Sequence, residues 1–354
     1  MPSSEFFKKQ IFSRDIDGYK IVRKGQFAYA TIHLDEGSIG ILDTADEAII
    51  SPMYTVFEVN PEVVYAPFFI RLLKSEWALN KYQTMGNGSV HRRRAISFDV
   101  FGRLEVTLPS VAEQKRITSV LDKAASLSHK RQRAIQLADD FLRATFLDMF
   151  GDPIANTKGW PIESLHNNIV EITSGWSANS IEEKFTRQCF GVLKVSAVST
   201  GYFLRDEAKV VDPEIVSRAL IFPKRGDLLF SRANTRELVA ASCIVEEDCD
   251  NVFLPDKLWR IEPKPQKMTR EYFKFLISHE KFKEELTKKA TGTSGSMLNI
   301  SQAKLLSTDA PVPPIALQEK FTKIVWRIFD LRKLWLQSDE IMQLNQNSLS
   351  QLLQ

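Results

Sequence analysis

The second half of this chain repeats the first at a fixed distance, and that repeat limits the possible folds more than any other feature. Pro313 lies 204 residues after Pro109, Gly292 lies 204 after Gly88, and Phe273 lies 204 after Phe69. Whole stretches correspond. Lys224-Arg225-Gly226-Asp227-Leu228-Leu229-Phe230-Ser231 answers Arg23-Lys24-Gly25-Gln26-Phe27-Ala28-Tyr29-Ala30. Leu258 to Glu262 answers Tyr54 to Glu58, and Phe273 to Glu280 answers Phe69 to Glu76. Thr291-Gly292-Thr293 answers Asn87-Gly88-Ser89, and Ile300-Ser301 answers Ile96-Ser97. Apart from the stretch at Lys224, which lies 201 residues after Arg23, the spacing is constant, and it describes one structural unit built twice.

Each copy ends in a long helical pattern. After Pro109-Ser110-Val111-Ala112-Glu113-Gln114-Lys115-Arg116, small or apolar residues recur at steps of four and three: Ile117, Leu121, Ala124, Ser128, then Ile135, Ala138, Leu142, Thr145 and Met149. Only Arg131 breaks the row. The average step of 3.5 is that of a seam packed on another helix. Pro109 precedes the first turn, and Gly151 and Pro153 end the helix. At 1.5 Å per residue it is roughly 55 Å long. Pro313-Pro314-Ile315-Ala316-Leu317-Gln318-Glu319-Lys320-Phe321 opens the second copy, with Ile324, Ile328, Leu331, Trp335, Met342, Leu349 and Leu352 as its row. The expected architecture is α+β: two α/β domains separated by two long antiparallel, coiled-coil-like helices.

The expected boundaries are 1–108 for a first domain, 109–152 for the central helix, 153–310 for a second domain and 311–354 for the last helix. In the first domain, short strands and turns run from Phe6 to Ile50, with Gly37-Ser38-Ile39-Gly40 as a turn, and Met53 to Val59 is a strand. Tyr65 to Lys81 reads as one helix. In the second, Ile169 to Ile172 and Val192 to Val195 read as strands. Residues Trp160 to about Ser217 have no counterpart before Tyr19, so the first domain is expected to be incomplete, through an internal start or a natural truncation.

No apolar run reaches membrane-spanning length and no secretory signal opens the chain, so a cytoplasmic location is expected. Three cysteines, Cys189, Cys243 and Cys249, make neither a disulfide framework nor a zinc site. The net charge of +3 is too small to decide for or against nucleic acid. Catalytic signatures are missing: there is no phosphate loop, no His-Glu-x-x-His and no nucleophile elbow. Asp256, Glu262 and Lys264 superficially match a metal-dependent nuclease. The strand expected between the two acids holds them roughly 20 Å apart, too far to share one ion.

Nucleic-acid signals are more numerous. The loop Thr291-Gly292-Thr293-Ser294-Gly295-Ser296 offers backbone N–H groups and hydroxyls suited to phosphate oxygens, or is a simple connector. Its counterpart in the first copy, around Ser89, runs into Arg92-Arg93-Arg94, natural phosphate and guanine contacts. Ser231-Arg232-Ala233-Asn234 follows a strand and carries the two side chains best shaped to read bases. Ser174-Gly175-Trp176 is a loop whose Trp could stack or could belong to the core. Lys194 and Ser196 flank a strand. Lys130-Arg131-Gln132-Arg133 could touch DNA backbone or form the wet face of its helix.

These motifs resemble those of the specificity subunits of type I restriction–modification systems. The resemblance lies in Leu108 to Ile117, in Phe146-Leu147-Asp148-Met149-Phe150-Gly151-Asp152-Pro153, in Gly159-Trp160-Pro161, in Lys224 to Arg232, and in the loop ahead of Asn299-Ile300-Ser301. It implies two target-recognition domains, each reading one half of a split DNA site, in a chain with no catalytic activity of its own. It implies double-stranded DNA as one partner, with two methyltransferase subunits and a restriction and translocase subunit as others. S-adenosylmethionine, ATP and Mg²⁺ would serve those partners. Contacts with them are expected at Gln114, Arg116, Arg131, Gln318 and Lys320 of the helices. The alternative is a scaffold that docks methyltransferase subunits without reading DNA.

Overall fold

The computed structural model describes residues 17–85, 95–216, 218–292 and 297–351, with side chains of the last helix described as far as 337. Two units form: Met1–Gln132 with Gln337–Gln354, and Arg133–Leu336.

The first unit opens with strands β1 (Lys20–Arg23), β2 (Phe27–Ala30), β3 (Ile39–Ile41), β4 (Glu47–Ile50) and β5 (Tyr54–Phe57). β1 and β4 form an antiparallel pair; β2 lies between β3 and β5 in a second sheet. Gly25, with φ near +88°, makes the tight turn into β2 that a side chain would strain. The strands bury aromatic residues: Phe27 stacks on Phe57 at 5.2 Å, and Tyr29 lies 5.0 Å from Phe101. Buried Tyr29 donates its hydroxyl hydrogen to the Ile96 carbonyl and Tyr82 donates to that of Leu73, so neither ring buries an unpaired polar group. Helices α1 (Ala66–Leu73), α2 (Glu76–Met85) and α3 (Phe98–Phe101) close this core, and α4 (Val111–Phe150) follows.

The second unit adds β6 (Ile162–Ser164), β7 (Ile169–Ser174), β8 (Gly191–Leu193), β9 (Ala208–Val210), β10 (Leu228–Ser231), β11 (Ala233–Asn234), β12 (Ser242–Ile244), β13 (Val252–Phe253) and β14 (Leu258–Pro263). Then come α5 (Arg270–Ser278), α6 (Glu280–Lys288), β15 (Leu298–Asn299), α7 (Gln302–Leu306), β16 (Asp309–Pro311) and α8 (Ile315–Gln351). Its central sheet runs β12-β10-β14-β7, and a smaller one runs β13-β8-β9. Its core gathers Phe146 and Phe150 of α4 with Tyr272 and Phe275 of α5 and Phe321 of α8. Phe150 meets Phe321 at 5.4 Å. Eleven residues earlier on α4, Asp139 accepts a hydrogen bond from Tyr202, whose ring meets Phe329 of α8 at 5.8 Å. Moving back along α4 is moving forward along α8, so within this unit the two helices run antiparallel.

The repeat holds at the level of strand register. Phe27 sits opposite Phe57 and Ile41; Leu228 sits opposite Ile261 and Ile244. Gly226 repeats the left-handed turn of Gly25 at φ near +92°. Ser97 caps α3 by accepting from the Val100 N–H, as Ser301 caps α7 by accepting from that of Lys304. The difference is equally plain. β7 lines the outer side of β14, whereas no strand lines the outer side of β5 among the described residues. The stretch that has no counterpart early in the sequence supplies β6 to β9.

Several expectations are corrected. The helix expected over 65–81 breaks after Leu73, because the Ser75 hydroxyl accepts from the Ala78 N–H and starts a new helix. The turn expected at 37–40 ends at Gly37, and β3 begins at Ile39. The strand expected over 192–195 stops at Leu193, where a 3-10 turn takes over. The seam of α4 is at least partly buried along its whole row, Arg131 included. On α8 the buried row is Gln318, Phe321, Val325 and Phe329, while Leu331 is 44% exposed. Of its apolar residues Phe321, Val325 and Phe329 are the most deeply buried, and Ile324 and Ile328 of the expected row pack partly buried against the same core.

Candidate nucleic-acid interface

At the end of β10 the chain gathers several of the expected residues around Arg232. Its guanidinium donates from Nε to the Asp256 carbonyl and from a terminal nitrogen to the Asp256 carboxylate at 3.1 Å. Its other terminal nitrogen donates to the Asn299 side-chain oxygen at 3.0 Å. One planar fork thus ties the turn before β14 to β15, the geometry arginine provides and lysine does not. Ser174 donates to the same Asp256 carbonyl at 3.1 Å, and Ser177 donates to the Asp256 carboxylate. Trp176 donates its backbone N–H to Leu254. Gly175 allows that approach, since a Cβ there would sit 1.9 Å from the Leu254 oxygen. Asn234 pairs with Leu298 across β11 and β15, and Thr291 bridges to Asn299, carrying Gly292 to the same place.

The half-buried Trp176 ring stacks on Phe253 at 6.1 Å, and the Arg218 guanidinium lies 5.4 Å above it. The ring therefore packs, partly buried, against the core around Phe253 and also meets the Arg218 cation. Exposed Arg236 and partly exposed Lys257 lie on the same turns. Lys194 and Ser196 converge elsewhere, on Glu207, at 3.6 Å and 2.6 Å. The Ser196 hydroxyl, and secondarily Lys194, holds that carboxyl below its usual range.

Some expected contacts do not survive the geometry. Ser231 is wholly buried and cannot reach a groove. Arg232 is engaged by Asp256 and Asn299 and acts as a clamp on the loops. Gln114 and Gln318 are wholly buried and present nothing to a partner. Each makes the same three bonds 204 residues apart. Gln114 accepts from the Tyr65 N–H at 2.7 Å and donates to the carbonyls of Val63 and Pro109, both at 2.9 Å. Gln318 accepts from the Thr269 N–H at 2.9 Å and donates to Lys267 at 2.9 Å and Pro313 at 2.7 Å. Arg116 remains on the surface, paired with Glu113 at 2.6 Å, and Lys320 is exposed. Ser89, Arg92, Arg93, Arg94, Thr293, Ser294 and Gly295 lie outside the described residues.

Three residues of the cluster were missed: Ser177, Asp256 and Asn299. Asp256 is visible in the sequence only as a false nuclease acid. In the structure Glu262, the second acid of that reading, pairs with Arg270 at 2.5 Å instead. Among the described residues no group of three His, Cys, Asp or Glu side chains is placed to hold a metal ion.

No family model matches the chain. Over 191 residues it is 28% identical to the type I restriction enzyme EcoEI specificity subunit of Escherichia coli, a match covering 53% of this chain and 32% of that protein. Over 302 residues it is 21% identical to the type I restriction enzyme MjaVIII specificity subunit of Methanocaldococcus jannaschii, covering 80% of this chain and 68% of that one. The chain thus matches about a third of the length of the first relative. Its fold is that of the type I restriction–modification S subunit of M. genitalium, with a TM-score of 0.59 at 15% identity over 94% of this chain and 83% of that one.

Proposed function

We propose that this chain, a relative of type I specificity subunits in sequence and in fold, selects the DNA sequence on which a cytoplasmic restriction–modification complex acts. The observation that carries this reading is its similarity to two such subunits, over 191 and 302 residues. The loop end of the second unit supports it. Phosphate contacts position a protein on DNA and base contacts specify the site. Arg218, Arg236 and Lys257 supply cations for the first task, while Trp176, on a loop, and Asn234, on β11, flank the Arg232 clamp for the second. The chain performs no chemistry itself in this reading. Methyltransferase and restriction subunits bring S-adenosylmethionine, ATP and Mg²⁺.

The long helices offer those subunits a surface. Val120, Leu127 and Phe141 of α4 are 38%, 45% and 51% exposed, spaced at multiples of seven residues along one face. Exposed apolar rows of this kind mark protein contacts. The same row also serves the second reading, a docking scaffold that does not read DNA. One experiment separates the two. The chain is expressed with its methyltransferase subunit and methylated adenines are mapped across the host genome. A new, defined motif is expected. Co-purification of the subunits without any new methylation would leave only the scaffold.

A further inference from the structure

The second unit contains a pocket of about 820 Å³ lined by the later turns of α4, the loop at Ser199–Tyr202, the start of β12, and α5. Five lysine and arginine side chains line it against three carboxylates. The deepest cation is Lys274, only 7% exposed. Its ammonium lies 4.1 Å from the Phe275 ring centre and 5.7 Å from that of Tyr202. Among the described residues it has neither a hydrogen-bond acceptor nor a carboxylate within 4 Å. Gly201, with φ near +85°, lies beside it, where a Cβ would be in ordinary contact with the ammonium at 3.9 Å.

None of the neighbouring carboxylates pairs with it directly, and Asp139 acts on it only from a distance. Arg332 lies over the Tyr202 ring at 3.3 Å and faces Glu246 at 3.5 Å. Asp139 accepts the hydrogen bond of Tyr202. Arg143, one turn further along α4, stands on the pocket rim and is exposed. Opposite them Ser242 and Ser278 share a hydrogen bond at 3.4 Å. Two hydroxyls joined by one such bond leave one O–H free to donate. Lys274 is thus a side chain buried among rings whose ammonium opens into the pocket without a carboxylate partner, and the rings compensate its charge only in part.

We propose that this pocket binds a phosphate group, with Lys274 as its buried anchor and Arg143 and the Ser242–Ser278 pair as further donors. Donors on α4, β12 and α5 that line one pocket suit a tetrahedral oxyanion carrying more than one charge. The phosphate comes either from a small phosphorylated molecule or from the backbone of bound DNA. Binding of inorganic phosphate is a property of the chain alone and does not depend on the function proposed above.

The test is calorimetry and thermal unfolding of the full chain with inorganic phosphate, against sodium chloride of equal ionic strength. Saturable phosphate binding is expected, lost in Lys274→Met and at least five-fold weaker in Arg143→Gln. Arg143 is a surface residue, so the second variant remains informative if the first does not fold. A phosphate effect equalled by chloride, or unchanged in Arg143→Gln, would overturn the proposal. Duplex DNA then distinguishes the sources. Displacement of phosphate by the duplex identifies a backbone phosphate, and simultaneous binding of both identifies a small phosphorylated ligand.

Discussion

At the scale of single residues, polar side chains mostly hold the chain's own loops. Gln318→Leu leaves the Thr269 N–H and the Lys267 and Pro313 carbonyls without their partner, which should cost about 3 kcal/mol in urea unfolding. An unchanged midpoint would contradict this role. Arg236 carries no comparable task, so Arg236→Ala should leave stability alone and lower the salt dependence of duplex binding by about one unit of slope. Lys274 has a pH signature. Burial pushes its ammonium down to about 8; Cys243 and Asp139 oppose that shift, and Arg143 and Arg332 add to it. Unfolded lysine titrates near 10.4. Between pH 8 and 10.4 the unfolded chain therefore binds more protons, so stability rises with pH through that window. Lys274→Met should flatten that rise, which unfolding curves from pH 7.5 to 10.5 will read. None of this was legible in the sequence: Gln114 and Gln318 stood out there, but only as expected surface contacts. A fully buried glutamine and an exposed one look alike until the backbone groups around them are placed.

At the scale of elements, α4 was legible almost to the residue because a seam of period 3.5 needs only sequence spacing. The row on α8 was legible in part: Ile324 and Ile328 pack against the core, whereas Leu331 lies on the exposed face. The two copies also fasten their helices differently. In the first unit Arg71 of α1 pairs with Asp122 of α4 at the surface. In the second, buried Glu271 of α5 accepts from Thr322 at 3.0 Å and from Trp326 at 2.8 Å on α8. Glu271→Ala should destabilise the chain by about 1–3 kcal/mol, since two partly buried donors lose their acceptor. Asp122→Ala should cost less than about 1 kcal/mol, as exposed pairs do. Denaturant midpoints of the two variants will show whether the ordering holds. Val120→Glu with Leu127→Glu should leave the fold intact and abolish co-purification with a methyltransferase subunit.

At the scale of the whole molecule, duplication was the most legible property, because a fixed spacing survives even where the residues themselves have changed. Of the strands supplied by the stretch without an early counterpart, β7 and β8 were legible at Ile169–Ile172 and Val192–Val195, whereas β6 and β9 were not. Those two are short strands without a period that pattern reading can catch. The paired glutamines have a mechanical consequence. Gln114 and Gln318 each lock the first turn of a long helix to the backbone ahead of the unit's own helices. Neither helix can spin about its axis without breaking three bonds, so torque on the helix is torque on the unit. Helix α4 passes from one unit into the other without a break. An insertion near Lys130 therefore acts as a phase shift. One added residue turns the later turns of α4 itself by about 100° about the helix axis, whereas seven restore the angle to within about 20° and add roughly 10 Å of helix.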